Sequence, residues 1–205
     1  MAQEFEIEVR GPLTEEQYHT LSKKLEAEGE FVTKKDRVLI DYSTFLAGEE
    51  LEGRKKDIRL RVTNKKPEII VKLGGWGGNE QREELSVLTH EGGFDTLVKI
   101  FNAMGYSKGM LCVRNSKVYN YNGVEFALVE IPGHCYTYEA ETVVSSDVDK
   151  DIATTEVQKV CEELGLQQYS DQEFYDFVKK LNEEANEIFE FKDYTEGYFK
   201  KRFDL

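Results

Sequence analysis

The chain has 205 residues, 40% of them hydrophobic, with 12 Phe and 11 Tyr, enough for one domain with a sizeable core and a small appendage. Three Pro and 16 Gly argue against a fibrous or disordered chain, and a formal charge of -13 argues against a stable nucleic-acid partner. Cys112, Cys135 and Cys161 are odd in number and widely spaced, as expected of reduced thiols in a cytoplasmic protein; no signal peptide and no membrane span are expected either.

The opening stretch EFEIEVR alternates strictly. Glu4, Glu6, Glu8 and Arg10 fall on one face of a strand, and Phe5, Ile7 and Val9 on the other. Thr14 then offers a helix cap, with Gln17 at the reciprocal capping-box position. Tyr18, Leu21 and Leu25 form the apolar stripe of that helix, and Gly29 ends it. FVTKKDRVLIDYS is expected as a strand pair or one long bent strand. DIRLRVTNKKPEIIVKLGG is expected as a hairpin turning at Asn64 to Pro67. After the glycine-rich break around Trp76, REELSVL is another strand, and a second helix spans roughly 93–104. GMLCVRNSKVYNYNGVEFALVEI turns at Asn122-Gly123, a strong hairpin signal, and YTYEAETVV is the last strand expected. Residues 149–164 and 171–189 have helical spacing, and a short third helix takes in Tyr194, Tyr198 and Phe199.

About eight strands with only two intervening helices predict an α+β protein whose antiparallel sheet is curved or closed. The division expected is a strand-rich domain over 1–144 and a helical C-terminal extension over 145–205. Most of these strands pair an apolar face with a charged one. Arg59 and Arg61 share a face, Lys72 interrupts an apolar run, Arg82 and Glu84 share a face, and Glu139 and Glu141 repeat the alternation of the opening. Two readings stand at this point. In an open sheet the charged faces meet solvent. In a closed one they meet in a lumen, where carboxylates become tolerable around divalent cations and arginines around an anion such as a phosphate chain. Oxygen-only ligation favours Mg²⁺ or Mn²⁺ over zinc. His19, His90 and His134 show no ligand or triad spacing. Trp76 would either cover a barrel end or stack on an organic group, and covering is the reading favoured here.

Taken in order, these elements resemble the CYTH superfamily, or triphosphate tunnel metalloenzymes. The resemblance rests on Glu6, Glu8 and Arg10 in EIEVR (with arginine where the family has lysine), Arg59 and Arg61 in RLR, and Lys72 in VKL. It continues with Arg82 and Glu84 in REE, Glu130 in LVEI, and Glu139 and Glu141 in YEAE. In VRNSK, Arg114 fits the family's basic strand but Ser116 stands where the second base belongs, with Lys117 on the opposite parity. The resemblance covers residues 4 to about 143 and implies a closed eight-stranded antiparallel barrel with flanking helices.

It also implies Glu6, Glu8, Glu139 and Glu141 as metal ligands for Mg²⁺ or Mn²⁺, and Glu6, Glu8, Arg10, Glu84 and Glu130 as catalytic. Arg10, Arg59, Arg61, Lys72, Arg82 and Arg114 would hold phosphate. The activity implied is hydrolysis of inorganic tripolyphosphate or of an organic triphosphate such as thiamine triphosphate or a nucleotide. A class IV-type adenylate cyclase is the alternative, and a non-catalytic polyphosphate-binding module the third reading. The partner expected is a small-molecule triphosphate, and a homodimer is compatible with the sequence.

Overall fold

The structure, a computed structural model, describes residues 4–145 and 149–205. Eight strands run β1 (Glu4–Leu13), β2 (Glu30–Asp41), β3 (Lys56–Thr63), β4 (Lys66–Leu73), β5 (Asn79–Leu88), β6 (Lys108–Tyr121), β7 (Val124–Ile131) and β8 (Cys135–Ser145). Their order around the sheet is β2-β3-β4-β5-β1-β8-β7-β6, and β6 pairs back onto β2, so the sheet closes into a barrel. Every pairing is antiparallel. Closure satisfies the backbone groups that an open edge would leave unpaired.

Local chemistry fixes the connections. Helix α1 (Glu15–Glu28) begins with the expected capping box: Gln17 N–H donates to Thr14 Oγ1 at 3.2 Å, and Thr14 N–H donates to Gln17 Oε1 at 2.8 Å. The β3–β4 hairpin turns on Asn64 and Lys65, with φ of +50° and +68°, and the β6–β7 hairpin on Asn122 and Gly123, with φ of +52° and +79°. Two consecutive left-handed residues match the right-handed twist of the flanking strands. FVTKKDRVLID is one continuous strand, β2, with an irregularity between Phe31 and Thr33.

Most of the apolar core lies outside the barrel, because the inward strand faces carry many of the charges. On one side α1 and α3 (Lys150–Glu163) cover Val9, Leu13, Phe126 and Tyr138. On another, α2 (Phe94–Ala103) and α5 (Tyr198–Phe203) cover Ile40, Leu60 and Leu111. Helix α4 (Asp171–Glu184) differs. Its Leu181 packs against Val129 and Ile131 on the inner side of the barrel wall, so α4 lies across one mouth of the lumen.

The segment expected to be helical to residue 189 stops short. Helix α4 ends at Glu184, and Glu187–Glu190 form a ninth strand, β9, paired with Lys108–Leu111 of β6. The reason is backbone accounting: β7 pairs with β6 only from Asn115 onward, so the start of β6 has an uncovered edge. Strand β9 covers it and buries Phe189.

The chain between α3 and α4 straps the end of β1. Tyr169 N–H donates to the Arg10 carbonyl at 2.9 Å. A Cβ at Gly11 would lie 1.9 Å from the Gln167 carbonyl oxygen and 2.5 Å from the Tyr138 ring. Gly11→Ala is therefore expected to lower stability by about 1–3 kcal/mol through overpacking, measured as a fall in the urea midpoint at unchanged slope.

Candidate active site

A cavity of about 290 Å³ occupies the barrel interior. Alternation delivers side chains to it from every wall: Glu6, Glu8 and Arg10 from β1, Arg59 and Arg61 from β3, Lys72 from β4, Glu84 from β5, Arg114 from β6, and Glu139 and Glu141 from β8. Glu8 and Glu141 are direct cross-strand partners. Glu6, Glu8 and Glu141 each present a carboxylate oxygen, all within 4.8 Å of one another. Three converging carboxylates repel unless a cation sits among them, and an all-oxygen set suits a hard divalent ion such as Mg²⁺ or Mn²⁺. These residues fit a metal. Glu139 lines the same cavity but stands outside this group of three, 3.9 Å from Arg10 Nε.

Beneath the carboxylates lies an ionic lattice. Arg10 donates to Glu8 at 2.5 Å and to the Gly77 carbonyl at 3.0 Å, and pairs with Glu80 at 2.6 Å. Its guanidinium also lies 4.9 Å from the centroid of the Phe174 ring in α4. Asp57, fully buried, accepts from Arg59 at 2.9 Å and from Arg82 at 3.2 Å. Lys72 bridges Glu6 and Glu84. Trp76 covers the barrel end, buried against Phe174 and Tyr175, with the Arg54 guanidinium 4.6 Å above its ring.

No family model matches the sequence, and no curated protein does. Solved structures do. The PH1819 protein of Pyrococcus horikoshii OT3 superposes with a TM-score of 0.64 at 21% identity, over 85% of this chain and 99% of that one. A conserved hypothetical protein from Pyrococcus furiosus gives 0.61 at 19% identity, over 79% and 91%. HpAC1 from Hippeastrum, a candidate adenylyl cyclase with a dominant triphosphatase activity, gives 0.53 at 16% identity, over 82% and 90%. The chain has the triphosphate tunnel fold. In that fold the barrel interior is the tunnel, and the lattice above lies within its wall.

Not every expected residue faces the tunnel. Glu130 shares parity with Phe126 and Leu128, which belong to the core outside the barrel, while Val129 and Ile131 line the cavity. It is thus separated from the carboxylate cluster by the β7 backbone, on the side of Tyr18 and Tyr136. Arg82 has inward parity but is sealed in the wall by Asp57 and Glu80 and does not line the cavity. Lys117 points outward to Ser22 and Glu26, leaving Arg114 and Ser116 as the tunnel-facing members of VRNSK. The sequence reading missed Asp57 and Glu80, which neutralise the wall arginines, and Lys35 and Arg37, which reach the tunnel from β2. The period of Lys35, Arg37, Leu39 and Asp41 was the available signal.

The electrostatics follow from these contacts. Burial works against the Glu6 charge, but the Lys72 ammonium together with Arg10 and Arg82 outweighs it and brings the carboxyl down to about 2. Glu8 goes the other way, to about 7, because burial and the charges of Glu139 and Glu80 exceed the pull of Arg10 and Lys72. Glu141 rises well above the carboxylate range through burial and the neighbouring Glu8, Glu6 and Glu139. Glu8 is thus partly protonated near neutrality without metal, Glu141 is shifted in the same direction, and a cation binds the deprotonated forms. Metal binding should therefore release protons, more near pH 6 than near pH 9, and affinity should rise with pH through neutrality. Mn²⁺ titration calorimetry in buffers of different ionisation enthalpy measures both. A separate test concerns the wall: Asp57→Asn leaves Arg59 and Arg82 without their counter-charge, and a loss of about 3–5 kcal/mol in urea unfolding is expected.

Proposed function

We propose that this protein is a divalent-metal-dependent phosphohydrolase acting on inorganic tripolyphosphate or an organic triphosphate. The observation that carries this reading is the convergence of Glu6, Glu8 and Glu141 in a closed barrel whose interior also receives arginine and lysine side chains from β1, β2, β3, β4 and β6. Carboxylates gathered around a cation, facing fixed cations, suit a linear chain of phosphates better than a single carboxylate or phosphate monoester. In this proposal residues 1–144 supply the catalytic tunnel and residues 145–205 a helical extension that closes it, with α4 across one mouth.

Glu6, Glu8 and Glu141 would hold the ion, which when bound supplies Lewis-acid stabilisation of charge on the phosphoryl oxygens. Arg114, which has no carboxylate partner, grips the phosphate oxygens, and Arg61 and Lys72, paired with Glu68 and with Glu6 and Glu84, add positive field that offsets the charge building in the transition state. Arg10 and Arg59, already held by carboxylates, keep the tunnel wall in register. Glu139 and Glu84, tunnel carboxylates outside the group of three, order the attacking water and take its proton as the bond to the leaving phosphate breaks. The aromatic and apolar side chains of α4, Phe174 and Phe177 among them, restrict bulk water at that mouth. Cyclisation of ATP in the same tunnel is the second reading. Similarity in fold to HpAC1, in which triphosphatase activity dominates, supports ranking hydrolysis first.

Product identification tests the proposal. Tripolyphosphate, thiamine triphosphate and ATP, each incubated with Mg²⁺ or Mn²⁺ and separated by anion exchange, are expected to yield orthophosphate from at least one. Glu6→Gln should reduce that rate by about 100-fold or more. Cyclic AMP with pyrophosphate would select the cyclase. Binding without turnover would select the non-catalytic module.

A further inference from the structure

Most cations of the tunnel already have a carboxylate. Arg10 has Glu8 and Glu80, Arg59 and Arg82 share Asp57, Arg61 holds Glu68 at 2.6 Å, Lys72 holds Glu6 and Glu84, and Lys35 holds Glu125 at 3.0 Å. Arg37 and Arg114 do not. They are direct cross-strand partners on β2 and β6, two like charges facing one another across the ladder, with the Arg61 strand beside them. Arg114 at least donates to the Val113 carbonyl at 2.7 Å and to Asn186 Oδ1 at 2.9 Å. Arg37 makes no ion pair among the described residues, and its buried Nε has no hydrogen-bond partner. The Ser116 hydroxyl, two residues along β6 from Arg114, is likewise buried and unpartnered. Burial and the charge of Arg61 push the Arg37 guanidinium below the usual arginine range, consistent with a site short of negative charge.

Position around the barrel gives this deficit a direction. Strands β1 and β2 stand four places apart whichever way the eight-stranded ring is traced. The wall carrying Arg37 therefore faces, across the lumen, the wall carrying Glu6 and Glu8. An anion long enough to span the lumen would meet metal-binding carboxylates at one side and unneutralised guanidinium at the other. Ser116 occupies the position where a second base was expected on β6; its own cross-strand partner, Lys35, is held by Glu125, and the unpaired cation on β2 is Arg37, opposite Arg114.

We propose that Arg37, together with Arg114 and the Ser116 hydroxyl, forms an anion clamp on the β2–β6 wall that holds the phosphate chain against the carboxylates opposite. This rests on the phosphate-chain reading above and assigns a binding residue that none of the sequence motifs includes. A guanidinium that is unsatisfied in the free protein and completed by phosphate oxygens has a signature that a structural arginine lacks: removing it should cost ligand binding without costing fold stability.

The test compares Arg37→Gln, Arg37→Lys and Arg59→Gln with the wild type by calorimetric titration of tripolyphosphate in EDTA, where turnover is absent, and by thermal unfolding without ligand. Arg37→Gln is expected to bind tripolyphosphate about 10- to 100-fold more weakly, with Arg37→Lys intermediate. The ligand-free melting temperature of Arg37→Gln should equal or exceed that of the wild type, because a like-charge contact is relieved. Arg59→Gln should melt lower, because it removes a partner of buried Asp57. Undiminished tripolyphosphate binding by Arg37→Gln, or a melting temperature lowered as in Arg59→Gln, overturns the clamp and leaves the phosphohydrolase proposal standing. A wild type that binds no tripolyphosphate overturns the phosphate-chain reading and the clamp with it.

Discussion

Everything in this molecule is arranged around the cost of enclosing charge. A closed barrel whose inward side chains were hydrophobic would be its own core. Here many inward side chains are ionic, so most of the enclosed charges need partners, and most of the apolar surface needed for stability must be made elsewhere. Both requirements are met structurally. Asp57 and Glu80 hold the wall arginines, and the helices form the core by packing on the barrel's outer surface. The helices are therefore more than decoration: without them the strands have no apolar partner on either side.

The same accounting sorts the tunnel cations into two kinds. Those with carboxylate partners, such as Arg59 and Arg82, are components of the wall, and their charge is largely spent within the protein. Those without, such as Arg37 and Arg114, project an uncancelled field into the lumen. Proximity to the cavity alone does not distinguish the two, since Arg59 and Arg37 both line it. The distinction lies in what each guanidinium already holds. It also accounts for the mixed protonation of the carboxylates: Glu6 is stabilised as an anion by Lys72, while Glu141, which has no ion-pair partner among the described residues, is not.

Much of this was legible in the sequence, and the exceptions have physical causes. The capping box at Thr14 and the turn at Asn122-Gly123 are local, depending on residues a few positions apart, and the structure has them as expected. The charged strand faces were legible because side-chain alternation is strict. Glu130 was misplaced by matching residue type without checking parity, since two residues on the same strand one position apart cannot share a face. Asp57, one step before an apolar Ile58, looks like the ordinary start of a strand until the distant Arg82 is brought beside it. The helical spacing of 171–189 ran past the true end of α4 because nothing local reveals that β6 has an open edge waiting for Ile188 and Phe189.

The pairing of β1 with β8 has a kinetic consequence. Glu4 is matched to Ser145 and Leu13 to Tyr136, so the first strand is held by a strand more than a hundred residues later. Chain segments that far apart meet only after a large loss of loop entropy, and a sheet dominated by such pairs acquires its native state slowly and late. Until that meeting occurs, the acidic face of β1 can draw cations such as Lys72 only from its β5 side, and it is not enclosed. Enclosure of the tunnel charges therefore depends on pairings between strands far apart in the chain, β1 with β8 and β2 with β6.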